Sequence, residues 1–431
     1  MGKIDRRPPG FFLEDCSVRR LYLLSLIAAL LFQANLIAPA WGQGYGTDSH
    51  NVLTPAAGGM AGVSLARPQD VPAAVFGNPS TLSQFKGVNF TLGGSWIEPT
   101  VVVNHNGFLS GGNAFRAKSG TQGFVGSEIA MTQDLCSLGI PGSLGFGVAG
   151  LSGLGAEFRG RTPIGGNVTG EMIILGVNMG AGVDITDRLA AGATITLGTG
   201  FTDLALVQAS AMVHGYGLRA TFGFDYDISK STTVAAFYQT RLGLRYPNMF
   251  RLPGDNFMDV SIEQPDNFGF GIANNSLFDG DLLIAADVLY KNWEGADFYR
   301  NVFKNQWAFA FGMQLTRGRM KYRLGYSYND NPLSHNVQGL GPLPVGKAAI
   351  EYLQATQLAT INRHRITGGV GFQDFLFKGV DLDIFAGGLF RETDHFGPHT
   401  TSSVAAYYMG MGLTWHFDRC AQRSTVQRPC M

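Results

Sequence analysis

Strict alternation of side-chain character, with no long apolar run beyond the first forty residues, is what most restricts this chain. Between Arg319 and Tyr328 the even positions are Met320, Tyr322, Leu324, Tyr326 and Tyr328; the odd ones are Arg319, Lys321, Arg323, Gly325 and Ser327. Successive side chains leave opposite faces of a strand, so one face is apolar and the other basic or small. The same beat runs through Trp307, Phe309, Phe311, Met313 and Leu315, and through Tyr407, Met409, Met411, Leu413, Trp415 and Phe417. Leu282, Ile284, Ala286, Val288 and Tyr290 face away from Asp281 and Asp287. A helical membrane protein would need runs of ~20 apolar residues. Here charged residues are 15% of the chain, against roughly 25% in soluble proteins. Glycine supplies 59 of 431 residues and apolar content is 45%. That mixture suits an all-β transmembrane barrel, in which every second residue meets lipid.

The connections support the same reading. Short turns are expected near Thr186-Asp187, Ile228-Ser229-Lys230, Phe278-Asp279-Gly280, Arg317-Gly318 and Phe377-Lys378. Between them lie longer polar stretches at 152–168, 201–214, 247–257, 293–304, 330–360 and 391–403. Tight turns at one end and long loops at the other mark an up-and-down barrel. Strands are expected at 88–103, 121–133, 143–151, 169–184, 188–200, 215–227, 231–246, 258–275, 281–292, 305–316, 319–329, 361–374, 379–390 and 404–417. Their number, fourteen, is even, which returns both barrel ends to the periplasmic side.

The flanks read differently. Arg19 and Arg20, the apolar run Leu21 to Leu31 and Ala38-Pro39-Ala40 form a secretory signal over 1–42. Residues 43–87 hold Gly58-Gly59, Gly62, Pro55, Pro68, Pro72 and Pro79 among short apolar pieces. This is too interrupted for a long helix and too apolar for a loose tail, so a plug inside the barrel is expected. The barrel proper takes 88–417 and an extension 418–431 follows. Cys136, Cys420 and Cys430 outlast removal of the signal; Cys420 with Cys430 is the expected pair. There is no CxxC, and neither a metal nor another cofactor is expected.

On these residues the chain resembles the FadL/TodX family of outer-membrane fatty acid and hydrocarbon transporters. Ala57 to Gly62, then Val75-Phe76-Gly77-Asn78-Pro79-Ser80, resemble the family's glycine-rich opening and its Asn-Pro-Ala motif, with Ser80 for Ala. Gln264 to Gly269 resembles a strand start, less closely; Ala286 to Trp293 matches the strand ending in Trp. Lys321 to Tyr328 with Asn331-Pro332 matches the Arg-x-Gly-Tyr strand before a Pro loop. The resemblance implies a 14-stranded barrel with an N-terminal hatch and passive uptake of a hydrophobic small molecule. It also implies sideways exit at an inward kink of the third strand, where Pro141, Gly142, Gly145 and Gly147 are the candidates. Val71, Val75, Phe76, Asn78 and Pro79 in the hatch are candidate ligand contacts. Arg241, Arg319, Lys321 and Arg323 have inward parity and are candidates for a carboxylate, though lumen basics also serve as structural charge ladders. Expected partners are this ligand, outer-membrane lipid and the barrel-assembly machinery, which would read Phe417 despite the residues after it.

Other classes fare worse. Net charge is zero and no basic block is interleaved with aromatics, which removes nucleic acid. Gly145 to Gly150 fits GxGxxG but no helix is expected after it. Gly341 to Lys347 resembles a phosphate loop, but Ala348 stands where Ser or Thr would be needed. There is no GxSxG, and His214, His364 and His416 lack an evident serine, so a lipid hydrolase is disfavoured and no enzyme is expected. A general porin remains the alternative; it would need no plug.

Overall fold

The computed structural model describes residues 50–164, 169–205, 212–252, 256–337, 346–361 and 363–417. The expected signal, the extension 418–431 and the Cys420–Cys430 pair lie outside them. Cys136, which that pairing left over, is itself disulfide-bonded.

Seventeen strands follow the lead segment: β1 (Val88–His105), β2 (Phe115–Lys118), β3 (Phe124–Asp134), β4 (Gly142–Glu157), β5 (Thr169–Asp184), β6 (Leu189–Ala205), β7 (Val213–Ser229), β8 (Thr232–Gln239), β9 (Leu242–Leu252), β10 (Asn256–Gln264), β11 (Asp266–Leu277), β12 (Leu282–Asn292), β13 (Gln306–Arg317), β14 (Met320–Asn329), β15 (His364–Phe372), β16 (Val380–Phe396) and β17 (Thr400–His416). Fourteen of them, all but β2, β9 and β10, form one antiparallel ring closed by β1 on β17. The alternation sorts as expected. Tyr322, Leu324 and Tyr326 of β14 are exposed on the outside, while Arg323 and Ser327 are buried inside. Trp307, Phe309 and Phe311 continue the outer apolar belt on β13. A belt this extensive needs lipid to cover it.

Two of the expected strands do not run straight. The stretches 231–246 and 258–275 break after Gln239 and at Pro265, a residue with no ladder donor. Their outer halves pair only with each other, as the β9–β10 hairpin. Leu242, Leu244 and Tyr246 are buried on the inner faces of β6 and β7, where Gly198, Gly200 and Gly217 leave room for them. The stretch 391–403 also differs. It continues the β16 and β17 ladder up to Phe396 and Thr400, because Gly397 takes a positive φ and turns the chain tightly.

The lead segment forms a short helix, α1, at Val71–Phe76, and within 330–360 the chain forms a longer one, α2, at Lys347–Gln357. Ile350, Tyr352 and Leu353 of α2 join Trp293, Tyr299, Phe303, Phe396 and the β9–β10 hairpin in one apolar cluster. Gln354 fixes the helix by donating to Val302 O and Ser334 O, at 3.1 and 2.9 Å. The long loops thus build a packed cover over the end of the barrel opposite the tight turns.

Candidate functional site

The lead segment owes its shape to a few polar side chains. Asp70 caps α1, its Oδ1 accepting from Ala73 N–H at 2.9 Å, with Pro72 in the first turn. Its other oxygen accepts from Ala56 and Ala57 N–H at 2.6 and 3.2 Å, which folds the glycine-rich opening back onto the helix. Burial pushes the Asp70 carboxyl above its ordinary value, against the pull of the N–H groups of Ala56 and Ala73. Asn78 turns the chain next: its amide donates to Leu65 O at 2.8 Å and its Oδ1 accepts from Ser80 N–H. Ser80, the departure from Asn-Pro-Ala, donates its hydroxyl to the same Oδ1 at 2.9 Å.

This segment packs inside the ring. Ser64 and Leu65 N–H both donate to Asp287 Oδ2 of β12, at 2.7 and 3.1 Å. Ala61 N–H donates to Thr367 Oγ1 of β15, and Asn178 of β5 donates to Val75 O. Met60 sits over Gly312 and Gly325, where a side chain would collide with its backbone. Near the tight turns Arg67 pairs with Asp227 and Lys86 with Asp184, both at 3.3 Å, while Gln84 donates to Asp225.

The hatch candidates fall into two groups. Val71 and Val75 pack with Ala74, Leu82 and Ala130 and so hold the hatch to β3. Asn78 and Pro79 form the turn just described. Phe76 lines a cavity, with Leu53, Glu128 and Leu151. Gly145 accommodates Leu82 and Val75, and Gly147 accommodates Phe76. The ladder to β5 is regular from Gly142 to Gly150, just after Pro141, and shifts only between Gly150 and Ser152. Gly145 and Gly147 thus seat the hatch, Gly142 lies against Gly182 and Val183 of β5, and the irregularity comes later, at Leu151.

The basic candidates are spoken for within the protein. Arg323 is buried and bonded to Asp383 and to Gln314 Oε1. Arg241 lies past the end of β8, not on the lumen wall; it pairs with Asp266 and Glu263 and donates to Gly295 O. Arg319 lies at a tight turn, donating to Gln373 O and Asp374 O. Lys321 is half-buried beside it on the lumen face of β14. Neither principal cavity is lined by any of the four. The histidines have other company: His364 bonds Tyr326 Oη at 2.7 Å, and His416 bonds Asn89 Oδ1 and Asp381 Oδ2.

Besides the cavity at Phe76, two others flank the hatch among the described residues. The first encloses about 860 Å³ of empty space counting its mouth, and is lined by Val52, Leu53, Ile97, Phe124, Ile173, Leu389 and Tyr408. Its polar lining includes Glu128 and Arg365. The second lies between the hatch at Ala61 and Gly62 and the cover at Trp293 and Phe303. The first reaches the wall where the wall is incomplete. The ladder from β3 to β4 ends at Glu128 and Ala149, although β3 continues to Phe124 beside β1 and β4 continues to Glu157 beside β5. Above the gap the chain closes again through Gly120 N–H donating to Glu157 O at 2.8 Å. The result is a window bounded by Phe124, Gly126, Ser127, Gly150 and Gly153, all of which line the cavity. Sequence reasoning missed the window, Arg365 and Glu128. Inward parity was the only available signal for the two charged residues, and many others share it.

No family model and no curated protein matches the chain. Solved structures do. The Pseudomonas putida toluene transporter TodX superimposes with a TM-score of 0.63 at 16% identity, over 87% of this chain and 99% of that one. The Ralstonia pickettii toluene transporter TbuX gives 0.58 at 15% identity, over 84% and 98%. The CymD monoaromatic hydrocarbon channel gives 0.56 at 13% identity, over 85% and 98%. At such identities the likeness is one of fold.

Proposed function

We propose that this chain lets hydrophobic small molecules, fatty acids or hydrocarbons, cross the outer membrane of a bacterium down their own gradient, without catalysis. They enter through the cover, rest in the cavities beside the hatch and leave sideways between β3 and β4. The observation carrying this reading is the window: an apolar cavity meets the wall where β3 and β4 both run on but no longer pair with each other. An open water-filled pore offers an apolar molecule no favourable path. Each buried methylene contributes ~0.8 kcal/mol, so an apolar cavity holds such a molecule and lipid beyond the window draws it on. The hatch blocks the straight route, and toluene and monoaromatic hydrocarbon channels share the fold.

Closing the window tests the proposal. With Gly126 and Gly153 changed to Cys and joined by a short reducible crosslinker, uptake of labelled toluene and oleate by expressing cells should fall about tenfold. Uptake should return on reduction. A porin would be indifferent to the crosslink, and unchanged uptake would end the lateral route.

A further inference from the structure

Arg365 is an exception among the lumen arginines. It projects inward from β15, opposite Ser327 and Leu389, and is only 9% exposed. Arg323 on the neighbouring strand has Asp383 and Gln314, and Arg219 has Gln239 and Pro265 O. Arg365 has no carboxylate within ion-pair distance among the described residues, and its buried Nε has no hydrogen-bond partner. Of the nearby carboxylates, Glu392 pairs with Arg363, and Asp287, which lines the second cavity, holds the hatch N–H groups through Oδ2 and forms no ion pair with Arg365. What Arg365 does have is the ring of Tyr408, 5.8 Å from its guanidinium carbon, and the Tyr408 hydroxyl is likewise without a partner. Both residues line the first cavity, and Arg365 lines the second as well.

A guanidinium does not shed its proton, and a buried charge without a counter-ion is costly; a ring face offsets only part of that cost. The two cavities therefore meet at a fixed positive charge whose forked donors fit a carboxylate. We infer that Arg365 selects cargo with an apolar body and a single carboxylate head, and passes that head from the second cavity, beneath the cover, to the first, beside the window. Toluene, named for the similar channels, could offer this charge only a ring face, the contact that Tyr408 already makes, and no counter-ion. This rests on the uptake route proposed above. Arg317, exposed at a tight turn and paired with Asp281, lines neither cavity and gives the control.

The test uses the full chain in lipid nanodiscs and equilibrium dialysis of 4-butylbenzoate, butylbenzene and oleate, with empty nanodiscs subtracted. Arg365→Met should weaken 4-butylbenzoate about tenfold or more and leave butylbenzene within about twofold; Arg365→Lys should fall between. Arg317→Met should not weaken the acid. Whichever acid binds the wild type more tightly, aryl or acyl, identifies the source of the head group. Equal losses for acid and hydrocarbon in both Arg365 variants would overturn the inference. So would wild-type binding of butylbenzene alone, which would leave the uptake route standing. Failure of all three ligands to bind the wild type would overturn the uptake route as well.

Discussion

In β13 the alternate residues Trp307, Phe309 and Phe311 stand 44, 45 and 42% exposed, whereas in β9 Leu242, Leu244 and Tyr246 are wholly covered. Both strands carry the same two-residue rhythm. The first shows its apolar face to lipid, and the second turns the same kind of face onto the lumen wall. Alternation thus says that one face must leave water, not what takes water's place. Glycine on the neighbouring strands decides it: Gly198, Gly200 and Gly217 leave a hollow for the β9 side chains, and nothing comparable lies beneath those of β13.

Paired substitutions can break or sharpen that contrast, each read as unfolding free energy of the purified barrel in detergent. The largest effect belongs to a covered charge. Arg323→Met should cost about 3–5 kcal/mol by stranding Asp383, whereas Arg319→Met, at an exposed turn, should stay within about 0.5 kcal/mol. Next is the covered apolar face itself. Leu244→Ala should cost about 2–5 kcal/mol, with residues 242–264 becoming protease-sensitive, while Phe309→Ala should cost less than half as much because detergent refills the space. Equal costs would mean that the hairpin is not seated in solution. Then come the hollows. Gly200→Ala meets the Tyr246 hydroxyl and Gly325→Ala meets the Met60 backbone, so each should cost about 1–3 kcal/mol and leak sugars in liposome swelling. Gly388→Ala, whose added methyl meets nothing nearer than Ala406 O at 3.7 Å, should do neither. The smallest effect is Ser80→Ala, which removes one hydrogen bond and should cost about 0.5–1.5 kcal/mol.

The same contrast explains what was legible in the sequence. All fourteen ring strands were, including 121–133, because each has one face on lipid and turn residues at its ends. The inward swing of β9 was not, because Leu242, Leu244 and Tyr246 keep phase with Val234, Ala236 and Tyr238 as though the strand ran on. Pro265 was the available warning. Helix α2 escaped notice because Gly339, Gly341, Pro342, Pro344 and Gly346 just ahead of it read as loop. Of the site, the hatch was legible through its glycines and Asn78-Pro79. Arg365 was not distinguishable from Arg323, since parity places both inside and only the tertiary neighbours separate a paired guanidinium from a solitary one.

The join between first and last strands carries a further consequence. β1 and β17 are stitched through seventeen successive residue pairs, from Asn89 and His416 to His105 and Thr400, with no slip. Unzipping even part of that suture within lipid would bare amide groups at several kcal/mol each. The wall is therefore permanent where the chain's two ends were sewn together. Between β3 and β4, beyond Glu128 and Ala149, the stitches are missing, so the sideways exit proposed above would open the cylinder without undoing a single thread.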